Sequence, residues 1–277
     1  MSSGGKGAGE LICVRRFPVK SMPGEELAAV RVGFQGLMGD RHFAFRDAET
    51  GKVVSAKYPA KWGKIFDLPV SWVRSPEESP DPIVRFQLPG GKWHRSDEPS
   101  VAEAFGALFG RKVTLLSSGL DAASLEEYWP DIEGLAHREQ TTDEKMPPGT
   151  FFDAAPIHLV TTATLRTLRE LYPEGLFESR RFRPNFVIAL SGGERGFVEN
   201  GWIGKRIRIG DSVRLEITMG CGRCVMTTLP QGDLPQDSGI LRTAARHNRA
   251  EVGVYAKVLS EGWVWKGAPV EVEETSG

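Results

Sequence analysis

Between positions 11 and 88 the apolar and β-branched residues come in short runs rather than at helical intervals: residues 11–17, 27–34, 42–46, 52–56, 71–73 and 83–88. Gly24, Gly36, Gly39, a turn at 47–51 and the Pro89-Gly90-Gly91 turn separate them. Runs of this kind, with turn residues every 8–12 positions or so, predict the strands of a barrel or sandwich. Val101, Phe105 and Leu108 then recur at helical spacing behind Ser100, which predicts a short packing helix over 100–109 and a strand over 112–117.

The stretch 137–150 has no hydrophobic period. With Thr141-Thr-Asp-Glu-Lys145 ahead of Pro147-Pro-Gly149 it reads as a mobile loop between two halves. A domain boundary is therefore expected within 118–150, giving an N-terminal unit of 11–120 and a second of 121–277. In the second unit the pattern predicts strands at 157–160, 183–190, 205–209, 213–218, 253–259 and 262–265. Helices are predicted at 162–172, capped by Thr161 or Thr162, and at 238–248. The fold class is mixed and β-dominated (α+β): a small N-terminal β-barrel packed on a second β-barrel with peripheral helices.

Composition narrows this. The 277 residues include 32 glycines and 18 prolines, which suits many turns. A formal net charge of -1 argues against duplex nucleic acid as a partner. No apolar run reaches the ~18 residues of a membrane helix. Residues 1–10 are Gly/Ser-rich and read as a loose tail, neither signal peptide nor anchor. Three cysteines, Cys13, Cys221 and Cys224, are too few and too odd for a disulfide framework. The expected compartment is the cytoplasm.

Cys221-Gly222-Arg223-Cys224 is a lone C-x-x-C with several readings. A structural zinc site needs more ligands, and the five histidines are scattered. A thioredoxin-type pair should open a helix, whereas residues 225–230 read as extended. One functional thiolate beside Arg223 is the third reading, and two small buried hydrophobes the fourth. Gly220 and Gly222 favour function, since they mark a tight backbone excursion.

If residues 180–186 are extended, Arg181, Arg183 and Asn185 share one face, suited to phosphate or carboxylate. A solvated face paired with acids such as Glu178 is the equal alternative. Lys20 with Ser21, and Asp40 with Arg41, sit on turns where loops deliver function. Asp153 caps the following segment or reaches a ligand.

Several of these stretches, taken in order, resemble the MOSC family, named after the C-terminal domain of molybdenum cofactor sulfurase. The nearest likeness is to members with an N-terminal β-barrel, similar to the mitochondrial amidoxime-reducing component. The likeness rests on Phe17-Pro-Val-Lys-Ser21, Gly36-Leu-Met-Gly-Asp-Arg41, Asp153 with Pro156-Ile-His-Leu-Val160, and Arg183-Pro-Asn185. It continues through Phe197-Val-Glu-Asn-Gly-Trp202, Arg208-Ile-Gly-Asp211 and Cys221-Gly-Arg-Cys-Val-Met-Thr-Thr228. The resemblance implies a MOSC-type second barrel. It also implies that Cys224 is the catalytic ligand of molybdenum held by one molybdopterin, the Mo cofactor. Lys20, Ser21, Arg41, Arg183 and Asn185 would contact its pterin and phosphate, with Gly222, Arg223, Asp153 and Tyr255 as further contacts. The sequence departs from the family at Gly222, often bulkier, and at Leu229-Pro230-Gln231, where amidoxime-reducing members have Val-Asp-Pro.

The implied activity is reduction of N-hydroxylated small molecules such as amidoximes, hydroxylamines or hydroxylated bases. Electrons would come from a separate flavin, ferredoxin or cytochrome protein, because three cysteines cannot build a plant-type iron–sulfur centre. One alternative is a cofactor carrier or a sulfur-transfer protein using Cys224. Another is a metal-free Cys221/Cys224 redox sensor.

Overall fold

The computed structural model describes residues 7–117 and 119–273. Hydrophobic alternation closes its larger body. In the strand Val213–Gly222 the side chains of Val213, Leu215 and Ile217 are buried while their neighbours are not, because successive strand residues point to opposite faces. Seven strands form a ring in the order Phe186–Leu190, Ile157–Thr161, Glu251–Ser260, Val213–Gly222, Arg206–Ile209, Pro269–Glu273 and Gly7–Arg16. The last pairs back onto Phe186–Leu190, so the barrel has no open edge. Inward residues such as Leu11, Ile157, Ile188, Leu215, Val254 and Val270 fill one core.

Ile157–Thr161 and Phe186–Leu190 run parallel, and helix Thr162–Leu171 lies in the crossover that parallel pairing requires. Thr161 caps it by accepting from Thr164 N at 3.2 Å. Helix Ser238–Asn248 has the predicted bounds and starts at Asp237, whose side chain accepts from Gly239 N at 2.8 Å.

The remaining strands surround a second core. Ala44–Asp47 pairs with Val113–Leu116, and Val70–Arg74, Ile83–Gln87 and Trp93–Arg95 form a three-stranded sheet. Phe105 of helix Val101–Phe109 stacks on Phe45 at 4.1 Å between ring centroids. Cys224 and Met226 pack into this second core, so the cysteine turn lies on the seam between the two. The first strand of the chain is a stave of the ring whose other six strands all lie beyond residue 156. Ala29–Gly33 likewise pairs with Gly262–Trp265.

Local structure departs from the sequence reading at five places. Gly7 to Glu10 are strand rather than tail, while residues 1–6 of that tail lie outside the described residues. Of 52–56 only Val53 makes bridges, to Arg46 and Leu125. The supposed loop at 137–150 contains the strand Gln140–Lys145, paired with Ser124–Trp129. Its outer residues face solvent, so no apolar period marks it, and partners such as Trp129 Nε1, which donates to Thr142 Oγ1 at 2.8 Å, hold it. The arginine stretch is a short helix, Ser179–Phe182, ended by Arg183 in a left-handed conformation before Pro184. Finally, Val225–Thr228 is a 3₁₀ turn and not extended. Thr227 and Thr228 donate through Oγ1 to the carbonyls of Cys224 and Val225 at 3.0 and 2.7 Å, and these local bonds fold the segment back.

Candidate functional site

Six separate chain segments meet at the seam. Lys20 and Ser21 follow the first strand and Arg41 follows the next turn. Asp153 precedes the strand Ile157–Thr161, and Arg183 and Asn185 precede Phe186–Leu190. Gly222, Arg223 and Cys224 leave the end of Val213–Gly222, while Tyr255 lies on Glu251–Ser260. All ten residues singled out from the sequence line one cavity. Register shifts at Ile217/Met219 and Gly220/Gly222 bend the strand end that delivers the cysteines.

Three of the ten hold a left-handed backbone: Ser21 (φ 65°), Arg41 (φ 48°) and Arg183 (φ 53°). Each such non-glycine residue costs on the order of 1 kcal/mol and persists only where its surroundings enforce it. Here Arg41 N donates to Phe17 O at 2.6 Å, and Ser21 Oγ accepts from Ala56 N at 3.1 Å.

The charge balance of the lining is lopsided. Lys20, Arg41, Lys57, Arg181, Arg183 and Arg223 face the single carboxylate of Asp153. Lys20 Nζ donates to Asp153 Oδ1 and to Phe151 O, both at 2.8 Å. Lys57 bonds Glu127 Oε2 at 2.9 Å and stands 3.8 Å from Asp153. Desolvation would raise the Asp153 carboxyl, but Lys20 and Lys57 outweigh it and hold it far below the usual range. Burial pushes the Arg183 guanidinium down to about 9, and Arg41 adds to the fall. Among the described residues Arg183 bonds no carboxylate; its Nη1 donates to Met22 O at 2.6 Å and the group stacks 4.1 Å over Phe17. Such a collection of cations is complementary to an anion.

Burial pushes the Cys224 thiol up to about 11, Glu127 adds to the rise, and Lys57 and Arg223 only partly offset it. Alone, this cysteine is a neutral thiol at neutral pH; a bound metal ion would deprotonate it. Arg223 acts on the Cys224 thiol in the expected direction, while its Nη1 donates to Cys221 Sγ at 2.7 Å. Its Nε is buried with no partner among the described residues. Both cysteines are buried, so burial does not separate a ligand from a core residue. Of the two, Cys224 lines the cavity and Cys221 does not.

The extended arginine face is replaced by a different arrangement. Arg181, on its short helix, donates to the carbonyls of Leu176, Thr227, Leu229 and Pro235, and so fastens the chain beyond the cysteine turn. Asn185 is also engaged: Oδ1 accepts from His158 N at 3.0 Å, and Nδ2 donates to Arg15 O at 3.2 Å and Asp40 Oδ2 at 2.8 Å. Asp40 in turn pairs with Arg41. Lys57, Glu127 and His158 were not singled out from the sequence. Burial takes the His158 imidazole down to about 3, with Arg223 adding, so it is neutral. His158 lies within the Pro156–Val160 motif and was legible there; Lys57 and Glu127 carry no local signal.

Among the described residues no three His, Cys, Asp or Glu side chains cluster as a metal cage, and no helix is long and apolar enough to cross a membrane. Comparison with known proteins gives three findings. Residues 147–271 match the family model of the MOSC domain. A stretch of 156 residues, 53% of this chain, is 33% identical to mitochondrial amidoxime-reducing component 1 of Danio rerio, and covers 46% of that relative. The match thus spans under half of the relative's length. Among solved structures, the YuaD protein of Bacillus subtilis aligns over 97% of this chain and 94% of its own, with TM-score 0.45 and 12% identity. YiiM of Geobacillus stearothermophilus aligns over 57% and 75%, with TM-score 0.32 and 16% identity.

Proposed function

We propose, from the match of residues 147–271 to the MOSC family model, that the protein is a molybdenum-cofactor oxidoreductase that reduces N-hydroxylated compounds with electrons from a separate donor protein. One observation carries this: a buried cysteine, Cys224, stands in a cavity whose lining has six basic side chains against one carboxylate. The donor set fits the group. A lone thiol without a protein cage suits a metal that arrives already chelated by sulfur. The buried, unpartnered Arg223 Nε and the uncompensated Arg183 suit an anionic phosphate.

Cys224 Sγ would ligate the metal. Arg183, Arg41 and Lys20 would bind the phosphate and pterin, with Ser21 and Tyr255 hydroxyls available to them. Asp153 holds Lys20 and Lys57 in place and charged. Asn185 acts one step back, orienting Asp40 and through it Arg41. When bound, the group supplies two-electron oxygen-transfer chemistry. Cleaving the N–O bond consumes two electrons and two protons and releases water, and the Lys57 ammonium, hydrogen-bonded to Glu127, is a proton-bearing group at the cavity wall.

The test is molybdenum and pterin analysis of wild type, Cys221→Ala and Cys224→Ala purified from cells that make the cofactor. Metal is expected in the first two and absent from the third. Molybdenum retained undiminished by Cys224→Ala would overturn the assignment. Reduced viologen with benzamidoxime then tests the activity; a metal-replete protein without turnover would indicate a cofactor carrier or sulfur-transfer protein instead.

A further inference from the structure

A second cavity, of about 330 Å³, adjoins the first and shares Lys57, Asp153, Gly222, Arg223 and Tyr255 with it. This is the small end of the range for small-molecule sites. Its outer wall is the hairpin of Ser124–Trp129 and Gln140–Lys145 with the connecting chain around Leu135. Leu125, Glu127 and Trp129 alternate along one strand and so present one face to the cavity. Met219, 49% exposed on the barrel strand opposite, completes the rim. The rim thus carries the apolar side chains of Trp129, Leu135 and Met219 between the charged Glu144, Lys145 and Arg249, while the floor is charged. At Gly222, between the two cavities, a Cβ would meet nothing within 4 Å, so only backbone stands there.

The floor has a definite polarity. Lys57 Nζ donates to Glu127 Oε2 at 2.9 Å, which leaves Glu127 Oε1 for a second donor and the other ammonium hydrogens for an acceptor. An N–C–N head that carries an amino donor beside an oxygenated acceptor matches that pair. The rim matches a flat apolar body, since methionine and tryptophan favour contact with aromatic rings.

We propose that this second cavity is the substrate mouth of the site: Glu127 and Lys57 bind the head of an aryl amidoxime, and Trp129, Leu135 and Met219 hold its ring. The choice of amidoxime rests on the function proposed above; the preference for a ring-bearing one comes from the rim. Gly222 is the point at which the head passes toward Cys224.

The test is calorimetric binding of benzamidoxime and acetamidoxime to the full chain without metal, where no turnover occurs. Wild type is expected to bind benzamidoxime at least tenfold more tightly than acetamidoxime. Leu135→Ser, at a half-exposed position, should collapse that preference, and Glu127→Gln should weaken both ligands about tenfold. Trp263→Ala, on a distant strand, should change neither. Near-UV circular dichroism confirms that each variant keeps its fold. Equal affinity of wild type for the two amidoximes, or unchanged affinities in Glu127→Gln, would overturn the proposal. Binding as expected in a protein whose loaded form reduces nothing would leave the mouth in place and overturn the reductase reading alone.

Discussion

Arg183 and His158 show what a charged cavity costs the chain that carries it. Arg183 sits in a left-handed conformation, half-buried beside Arg41, with its charged form disfavoured down to about 9. A side chain so placed contributes little to folding. Arg183→Met is therefore expected to keep the stability of the cofactor-free protein within about 1 kcal/mol in urea denaturation, while molybdopterin retention falls at least tenfold. His158 is depressed to about 3, below its unfolded value near 6.5, so the unfolded chain binds the extra proton as pH drops. Its contribution is present above pH 6.5 and is lost progressively as pH falls toward 3. Between pH 7 and 5, unfolding stability should drop by about 2 kcal/mol from this group alone, and the drop should shrink by that much in His158→Gln. An unchanged slope in the variant would refute the assignment. His42 shifts in the same direction through burial and adds to the wild-type slope.

The stretch Phe197 to Trp202 makes a different point about elements, because it touches no part of the cavity. Glu199, fully buried on the 3₁₀ turn Val198–Trp202, accepts from Thr161 N at 3.2 Å and from the hydroxyls of Thr161 and Thr164, both at 2.7 Å. It thus fixes the junction of the strand Ile157–Thr161 and the helix Thr162–Leu171, the crossover that sets Arg183 and Asn185 beside Lys20. Glu199→Ala strands those donors and should cost about 3 kcal/mol by denaturant titration. A loss under 1 kcal/mol would mean the triad is incidental. The helix bounds at 238–248 were legible because hydrophobic periodicity is local. The strand Gln140–Lys145 was not, because it is polar on both faces and owes its conformation to its partner strand.

At the scale of the whole molecule, the ring needs its first stave. Residues 121–277 alone would leave Phe186–Leu190 and Pro269–Glu273 without the strand Gly7–Arg16, which pairs with both. Two unpaired barrel edges invite association. That fragment is expected to aggregate or to lack a cooperative thermal transition, as size-exclusion chromatography and calorimetry would show; a monomeric fragment with native-like melting would refute this. The same interleaving explains why the site lies on the seam. Cys224 is packed among residues of the second core, whereas Arg183 and Tyr255 come from the barrel.

Hydrophobic period, turn residues and cap signals determined the strand-dominated class, most element positions and the C-terminal helix. The ordered motifs named nine of the ten expected site residues, and the resemblance added Tyr255, without placing them. Tertiary structure alone decided which of them meet, which are engaged elsewhere and what stands beside them. Lys20 reaches Asp153 across 133 positions, Arg223 turns to Cys221, and Lys57 and Glu127 join the site with no motif to mark them. The physical reason is one of range. Periodicity reports which face of an element is buried, a local property of the chain, whereas the meeting of side chains depends on barrel closure and on left-handed turns held by distant partners.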